Sequence, residues 1–278
     1  MKQKKAFMQN NISLLFSFLL TILFLLLLFC MGLFFGAFND KVIKQKINES
    51  NYYNESYTVI HKKAEAVVKE AGLPVNVLED AVTLERVYIG GKYYVENVLE
   101  GKTPVYKTEN LETALRKNID NYLMEHNVTV TEDIKAGTDE ITARIVQEFQ
   151  RGIQFDFIYS ISKARKTYTQ IITIGLPIVI LLAAVIIIFL LRIHKYKHRG
   201  LRYITCSVIS ASVITGITAI ITLGSKLYKV SVQPVYYMAF LQKYFLWDIQ
   251  IYLCMAGLGG IAAILLLLLT GQMKNNIS

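Results

Sequence analysis

The densest cluster of side chains that could do chemistry lies within eleven residues: Arg192, Lys195, Lys197, Arg199 and Arg202, with His194 and His198 interleaved. Cations so placed attract anionic headgroups, each worth about 1 kcal/mol close to a membrane surface. They also hold one end of a neighbouring apolar segment on the inner side of a bilayer. The two histidines stand four apart, a spacing that can turn two imidazoles toward one metal ion. Here lysines surround them and no acid flanks them. The cluster therefore reads as an anionic-lipid and topology signal, with no metal and no cofactor assigned.

Elsewhere the residues of catalysis are dispersed. Cys30, Cys206 and Cys254 all fall in apolar stretches, where a cysteine behaves as a small hydrophobe. His61 and His126 are isolated, and no phosphate-binding loop, zinc helix or nucleophile elbow is present. A serine triad is recognised by geometry rather than order, so the sequence alone leaves it open. The balance favours a non-enzymatic protein. Asn48-Glu-Ser50, Asn54-Glu-Ser56 and Asn127-Val-Thr129 match the glycosylation pattern, which matters only where that machinery exists.

Two further groupings concern membranes. After Pro234 come Tyr236, Tyr237, Phe240, Tyr244, Phe245 and Trp247, with only Lys243 and Asp248 charged among them. Rings of this kind settle at the headgroup level, in an outer loop or a helix lying in the interface. Ser207, Ala211 and Thr215, and later Ala256, Gly257, Gly260 and Ala263, are small residues at spacings that let apolar helices approach closely. A hydroxyl-lined permeation path is the alternative for the first three.

What positions these groups is a set of long uncharged blocks. The 278 residues are 53% hydrophobic, and the apolar ones are concentrated rather than dispersed at helix or strand spacing. Residues 171–191 carry no charge; at about 1.5 Å per residue they cover roughly 31 Å, against a hydrocarbon core of about 30 Å. Four spans follow, at 12–38, 171–192, 203–224 and 249–271. The first is too long, and lacks the small-residue exit, for a cleaved signal peptide. None of the uncharged blocks holds the buried ionisable group that an ion pathway normally needs.

Orientation comes from the cations near the ends. With residues 1–11, 193–202 and 272–278 cytoplasmic, Lys2, Lys4, Lys5, Lys274 and the five of the cluster lie inside, with no acid. The short outer segment 225–248 holds Lys226, Lys229 and Lys243. Both termini are then cytoplasmic, in the plasma membrane, and 39–170 is outside. Residues 40–170 contain 18 Lys and Arg against 20 Asp and Glu, so the net charge of +9 belongs to the membrane flanks and a nucleic-acid partner is excluded.

The outer region, at about 130 residues, is of domain size. Thr108 caps a helix whose Leu111, Leu115, Ile119 and Leu123 share a face, with Asn127 as its stop. Thr138-Asp-Glu opens another, along which Ile141, Ile145, Phe149, Ile153, Phe157 and Ile161 recur every fourth residue. With no proline from 139 to 176, this predicts one helix continuing into the second span. Residues 84–99 fit a helical face or a hairpin turning on Gly90-Gly91, and the helix is favoured because eight positions obey the 3.6 period. Residues 40–71 read as the first helix rising onward, with a loop around 48–54.

The fold class is thus all-α: a four-helix transmembrane protein with a helical extracytoplasmic domain inserted between its first two spans. In plan alone it is similar to bacterial receptor sensor modules, without a signalling domain inside. The expected function is binding of protein, envelope or ligand by the outer domain; a transporter or channel accessory, or an enzyme working at the outer face, are the alternatives. The partners expected are the bilayer and a second protein or further copy of the chain.

Overall fold

The computed structural model describes residues 2–232, 234 and 236–275, without the side chains of 2–6. Among the described residues there are helices and no strand. They run α1 Lys2–Phe35, α2 Asp40–Glu49, α3 Tyr52–Glu70, a 3₁₀ turn Val75–Leu78, α4 Leu84–Leu99, α5 Glu109–Glu125, α6 Glu132–Ile153, α7 Asp156–Ile193, α8 Lys197–Gly224 and α9 Tyr236–Asn275. Four of them are long and apolar enough to cross a membrane: α7, α8, α9 and the Phe7–Phe35 part of α1.

The chain divides into two compact units. The first comprises Met1–Ile43, Lys166–Val230 and Leu241–Ser278, and the second Lys44–Arg165 with Ser231–Phe240.

In the first unit α1, α7 and α8 share a core of Leu20, Ala183, Ile186, Leu190 and Ile204, with the Phe16 and Phe189 rings 4.6 Å apart. Around it the long apolar side chains face outward: Phe18, Ile174, Ile220 and Leu268 are each 61% exposed or more. Such an outer face would be costly in water and is the ordinary one in lipid. A polar seam runs between α1 and α8, where the Ser17 hydroxyl lies 2.9 Å from both the Ser207 hydroxyl and the Tyr203 carbonyl.

The second unit packs α3, α4, α5 and α6 around Ile60, Val68, Leu78, Val87, Leu115, Ile119, Ile145 and Phe149. Residues 84–99 are the helix expected. Thr83 caps it, its Oγ1 accepting from the Arg86 N–H at 3.2 Å. The paired glycines serve close packing: a Cβ at Gly91 would lie 2.8 Å from the Tyr53 ring, and one at Gly90 3.2 Å from Ile153. In α5 the face Leu111, Leu115, Ile119 and Leu123 is buried, and Asn127 takes a left-handed φ of 55°. Thr108 does precede that helix, but its hydroxyl donates to Glu112 Oε1 at 2.8 Å instead of capping a backbone N–H.

Three expectations are corrected. Thr138 opens no helix, because Thr131-Glu132-Asp133 supplies the same cap and first-turn acids earlier; Thr131 Oγ1 accepts from the Ile134 N–H, and Thr138 lies within α6. The helix expected to run from 138 into the second span is broken at Gln154–Phe155, where Gln154 is extended (ψ 141°) and α7 starts afresh at Asp156. The break inserts Phe155, fully buried, flat against Tyr52 with centroids 4.5 Å apart and edge-on to Phe240 at 5.1 Å. Finally, the aromatic stretch is no separate interfacial helix: Tyr236 begins α9, which continues without interruption to Asn275. Because α9 starts there, Asp248 belongs to a helix and not to a loop. The loop expected around 48–54 narrows to Ser50–Asn51, with Asn51 left-handed at φ 60°.

Candidate functional site

The first unit holds a cavity of about 400 Å³ walled by Leu25 and Phe29 of α1, by Ile214, Thr215, Thr218, Ala219 and Thr222 of α8, and by Asp248, Ile249 and Tyr252 of α9. Each threonine hydroxyl donates to the carbonyl four residues back in its own helix: Thr215 to Ala211 at 2.9 Å, Thr218 to Ile214 and Thr222 to Thr218 at 2.8 Å. That use of the proton leaves oxygen lone pairs as what a threonine can still offer. With the Asp248 carboxylate added, the polar part of the wall accepts hydrogen bonds. Its chemistry suits a donor or a cation, set among apolar side chains.

Asp248 is positioned by the end of α1. Its Oδ1 accepts the Ala37 N–H at 3.0 Å, while the Tyr244 hydroxyl donates to the Ala37 carbonyl at 2.6 Å. Both backbone polar groups of one residue, beyond the last turn of α1, are thereby satisfied by α9. In an apolar setting such groups are costly when unpaired. Gly36 makes the approach possible, since a Cβ there would lie 2.3 Å from Asp248 Oδ1. One turn on, Tyr252 lies across Gly32, where a Cβ would meet its ring at 2.2 Å, and stacks on Phe29 at 6.2 Å. Among the described residues no Lys, Arg or His forms an ion pair with Asp248.

The residues singled out from the sequence fall as follows. Arg192, Lys195, Lys197, Arg199 and Arg202 are all exposed, and Lys195 and Arg199 flank the Tyr196 ring at 5.6 and 5.9 Å. The histidine pair does not share a helical face, because α7 ends before His194 and α8 starts just before His198. His194 Nε2 pairs with Ser13 Oγ at 2.9 Å, and its burial, with the Arg199 charge second, holds its pKa below the ordinary histidine value. No group of three or more metal-ligating side chains occurs among the described residues.

Of the aromatic residues, Tyr236 and Phe240 are buried and, with Tyr237, pack in the second unit against Tyr52 and Phe155. Tyr244 is buried in the first unit, where Phe245 and Trp247 are half-buried. Among the small residues Ser207, Ala211 and Ala263 are buried, Thr215 lines the cavity, and Ala256 faces Gly216, where an added Cβ would lie 3.4 Å from the Ala256 Cβ. A Cβ at Gly257 or Gly260 would meet no other group within 4 Å among the described residues; at Gly259, against α8, it would lie 2.1 Å from Ser212 Oγ.

Two signals in the sequence pointed to what was missed. Asp248 is the one acid outside residues 40–170, and Ser13, Ser17 and Thr21 recur every fourth residue through an otherwise apolar block. No protein-family model, curated protein or solved structure matches the chain.

Proposed function

We propose that the protein is a non-enzymatic, multi-pass membrane protein whose helical module, residues 39–170, stands outside the membrane and binds a protein, an envelope component or a small ligand, both termini being cytoplasmic. One observation carries this reading. The second unit has a cleft of about 520 Å³ with Ile89, Tyr106 and Phe149 at its apolar part and Arg86, Lys107, Asp80 and Glu85 as its charged groups. Around it α4 leaves Tyr88, Ile89 and Tyr93 at least 41% exposed, and Val105 72%. Large apolar side chains beside convergent polar groups are what recognition surfaces present.

The test is a photoreactive side chain at Ile89, installed in the full chain in intact cells. The reading expects one adduct of defined mass that disappears on Arg86→Glu and does not form from a probe at Lys117 on α5. It fails if probes at both sites give the same products, or if purified protein turns over a substrate. Orientation has its own check in a background without native cysteines. A cysteine at Glu112 should react with an impermeant thiol reagent from outside, and one at Tyr196 should not.

The acceptor-walled cavity at Asp248 favours a second reading, that the chain is a transporter or channel component, since ionisable groups within membrane helices commonly mark ion or substrate paths. Cation flux in liposomes containing this protein alone, abolished by Asp248→Asn, would support it; absence of flux in the unaltered protein counts against it.

A further inference from the structure

A second cavity of the first unit, about 400 Å³, is bounded by Asn10 of α1, by His194 in the link between α7 and α8, and by Arg199, Arg202, Tyr203 and Cys206 of α8. Arg199 and Arg202 stand at i,i+3, neighbours on one helix surface, where two like charges repel. No carboxylate lines the cavity, and the acids that α1, α7, α8 and α9 carry are Asp156 and Asp248 alone. Two guanidiniums converging on a concavity without a carboxylate leave room for an anion from outside the chain.

The wall is built before any ligand arrives. The His194 ring is held by Ser13 and stacked on Tyr203, with centroids 5.5 Å apart and planes 7° from parallel. Gly200 lets α8 turn back tightly on α7, because a Cβ there would lie 2.2 Å from the Leu190 carbonyl oxygen. Gln9 donates from Nε2 to the Ile193 carbonyl at 3.4 Å, tying α1 to the same link. Guanidinium forks match the oxygens of phosphate in pairs, and the Asn10 amide and His194 imidazole can add donors.

We propose that this cavity is a phosphate-binding site, filled by the headgroup of an anionic phospholipid or by a soluble phosphate compound. Arg199 and Arg202 grip the phosphate oxygens there. Arg192, Lys195 and Lys197 do not line the cavity and supply only general attraction to an anionic surface. The site is independent of what the second unit binds.

The experiment uses the full chain in phosphatidylcholine nanodiscs containing a few per cent phosphatidic acid, with lipid retained after transfer to detergent read by native mass spectrometry. One phosphatidic acid per chain is expected. Arg199→Gln with Arg202→Gln should weaken retention by about tenfold or more, as loss of charge-assisted bonds predicts. Lys195→Gln with Lys197→Gln should change it less than about threefold. Arg202→Lys keeps the charge without the fork and should fall between them, which also guards against a variant that merely misfolds.

A parallel arm titrates inorganic phosphate into phosphatidylcholine nanodiscs lacking anionic lipid. Saturable binding lost in the double arginine variant assigns the site to a soluble phosphate compound; retention of lipid alone assigns it to a headgroup. Equal losses in the lysine and arginine pairs, or no binding of either ligand by the unaltered chain, would overturn the proposal.

Discussion

The contact between Gly152 of α6 and Ile60 of α3 makes a prediction whose sign depends on the neighbour. A Cβ at Gly152 would lie 2.1 Å from Ile60 Cγ1 and 2.5 Å from Cδ1, but 3.6 Å from Ile60 Cβ. Ile60 is 1% exposed, in the same core cluster as Phe149 at 0% and Ile153 at 3%, so its side chain has little room to yield. Ser56 Oγ donating to the Gly152 carbonyl at 2.8 Å holds the two helices at this separation. Overpacking of this kind costs about 1–3 kcal/mol, against a gain of up to about 1 kcal/mol from replacing glycine in a helix. Gly152→Ala should therefore destabilise the second unit by about 1–2 kcal/mol. Ile60→Ala alone should cost about 2–5 kcal/mol through the cavity it leaves. With both, the new methyl meets Ile60's Cβ position at ordinary contact distance, so adding Gly152→Ala to Ile60→Ala should be neutral or stabilising, a coupling of about 1–3 kcal/mol. Hydrogen exchange of the α3 and α6 amides, measured on the full chain in nanodiscs, reads the change in opening free energy. If Gly152→Ala stabilises the unaltered protein, or if the two effects simply add, the close approach of α3 and α6 is refuted.

Other outcomes follow from single contacts. Asp248→Ala leaves the Ala37 N–H without its acceptor and should lower thermal stability in detergent by about 1–3 kcal/mol, whereas Asp248→Asn, which can still accept, should lose less; equal losses would show that the hydrogen bond is not what holds the turn. Gly259→Leu should destabilise by about 1–3 kcal/mol through its clash with Ser212, while Gly257→Leu, with open space around it, should be neutral or better; the same thermal melts decide. For His194, burial and the Arg199 charge favour the neutral imidazole in the folded state. The unfolded chain then takes up the proton first, so this contribution is complete above about pH 6.5 and is lost as the pH falls below that value. Unfolding midpoints taken from pH 8 to pH 5 should drop more in the unaltered protein than in His194→Gln, and parallel curves would contradict the assignment.

Much of the fold could be read residue by residue. The uncharged blocks fall within α1, α7, α8 and α9, helices long and apolar enough to cross a membrane, and a helix satisfies its own backbone within one segment. The α5 face emerged because Leu111, Leu115, Ile119 and Leu123 keep the 3.6 period. The helix at 84–99 was also legible, yet the reason for Gly90-Gly91 was not, since Tyr53 and Ile153 come from other helices. The same limit explains the break at 154–155. Isoleucine and phenylalanine every fourth residue across 141–161 are compatible with one helix, and only Tyr52, Tyr237 and Phe240 around Phe155 draw it out of register. Thr138 misled because Thr131 carries an equally good cap.

The candidate sites divide in the same way. Charge and hydropathy alone determined where helices able to span a membrane lie and where cations gather, because both are sums over neighbours along the chain. They could not separate Arg199 and Arg202, which line a cavity, from Arg192, Lys195 and Lys197, which do not. Nor could they pair Asp248 with Ala37, 211 positions away, or choose Gly259 over Gly257 and Gly260. Those choices depend on which face each helix turns toward its neighbours, and tertiary packing alone decides that.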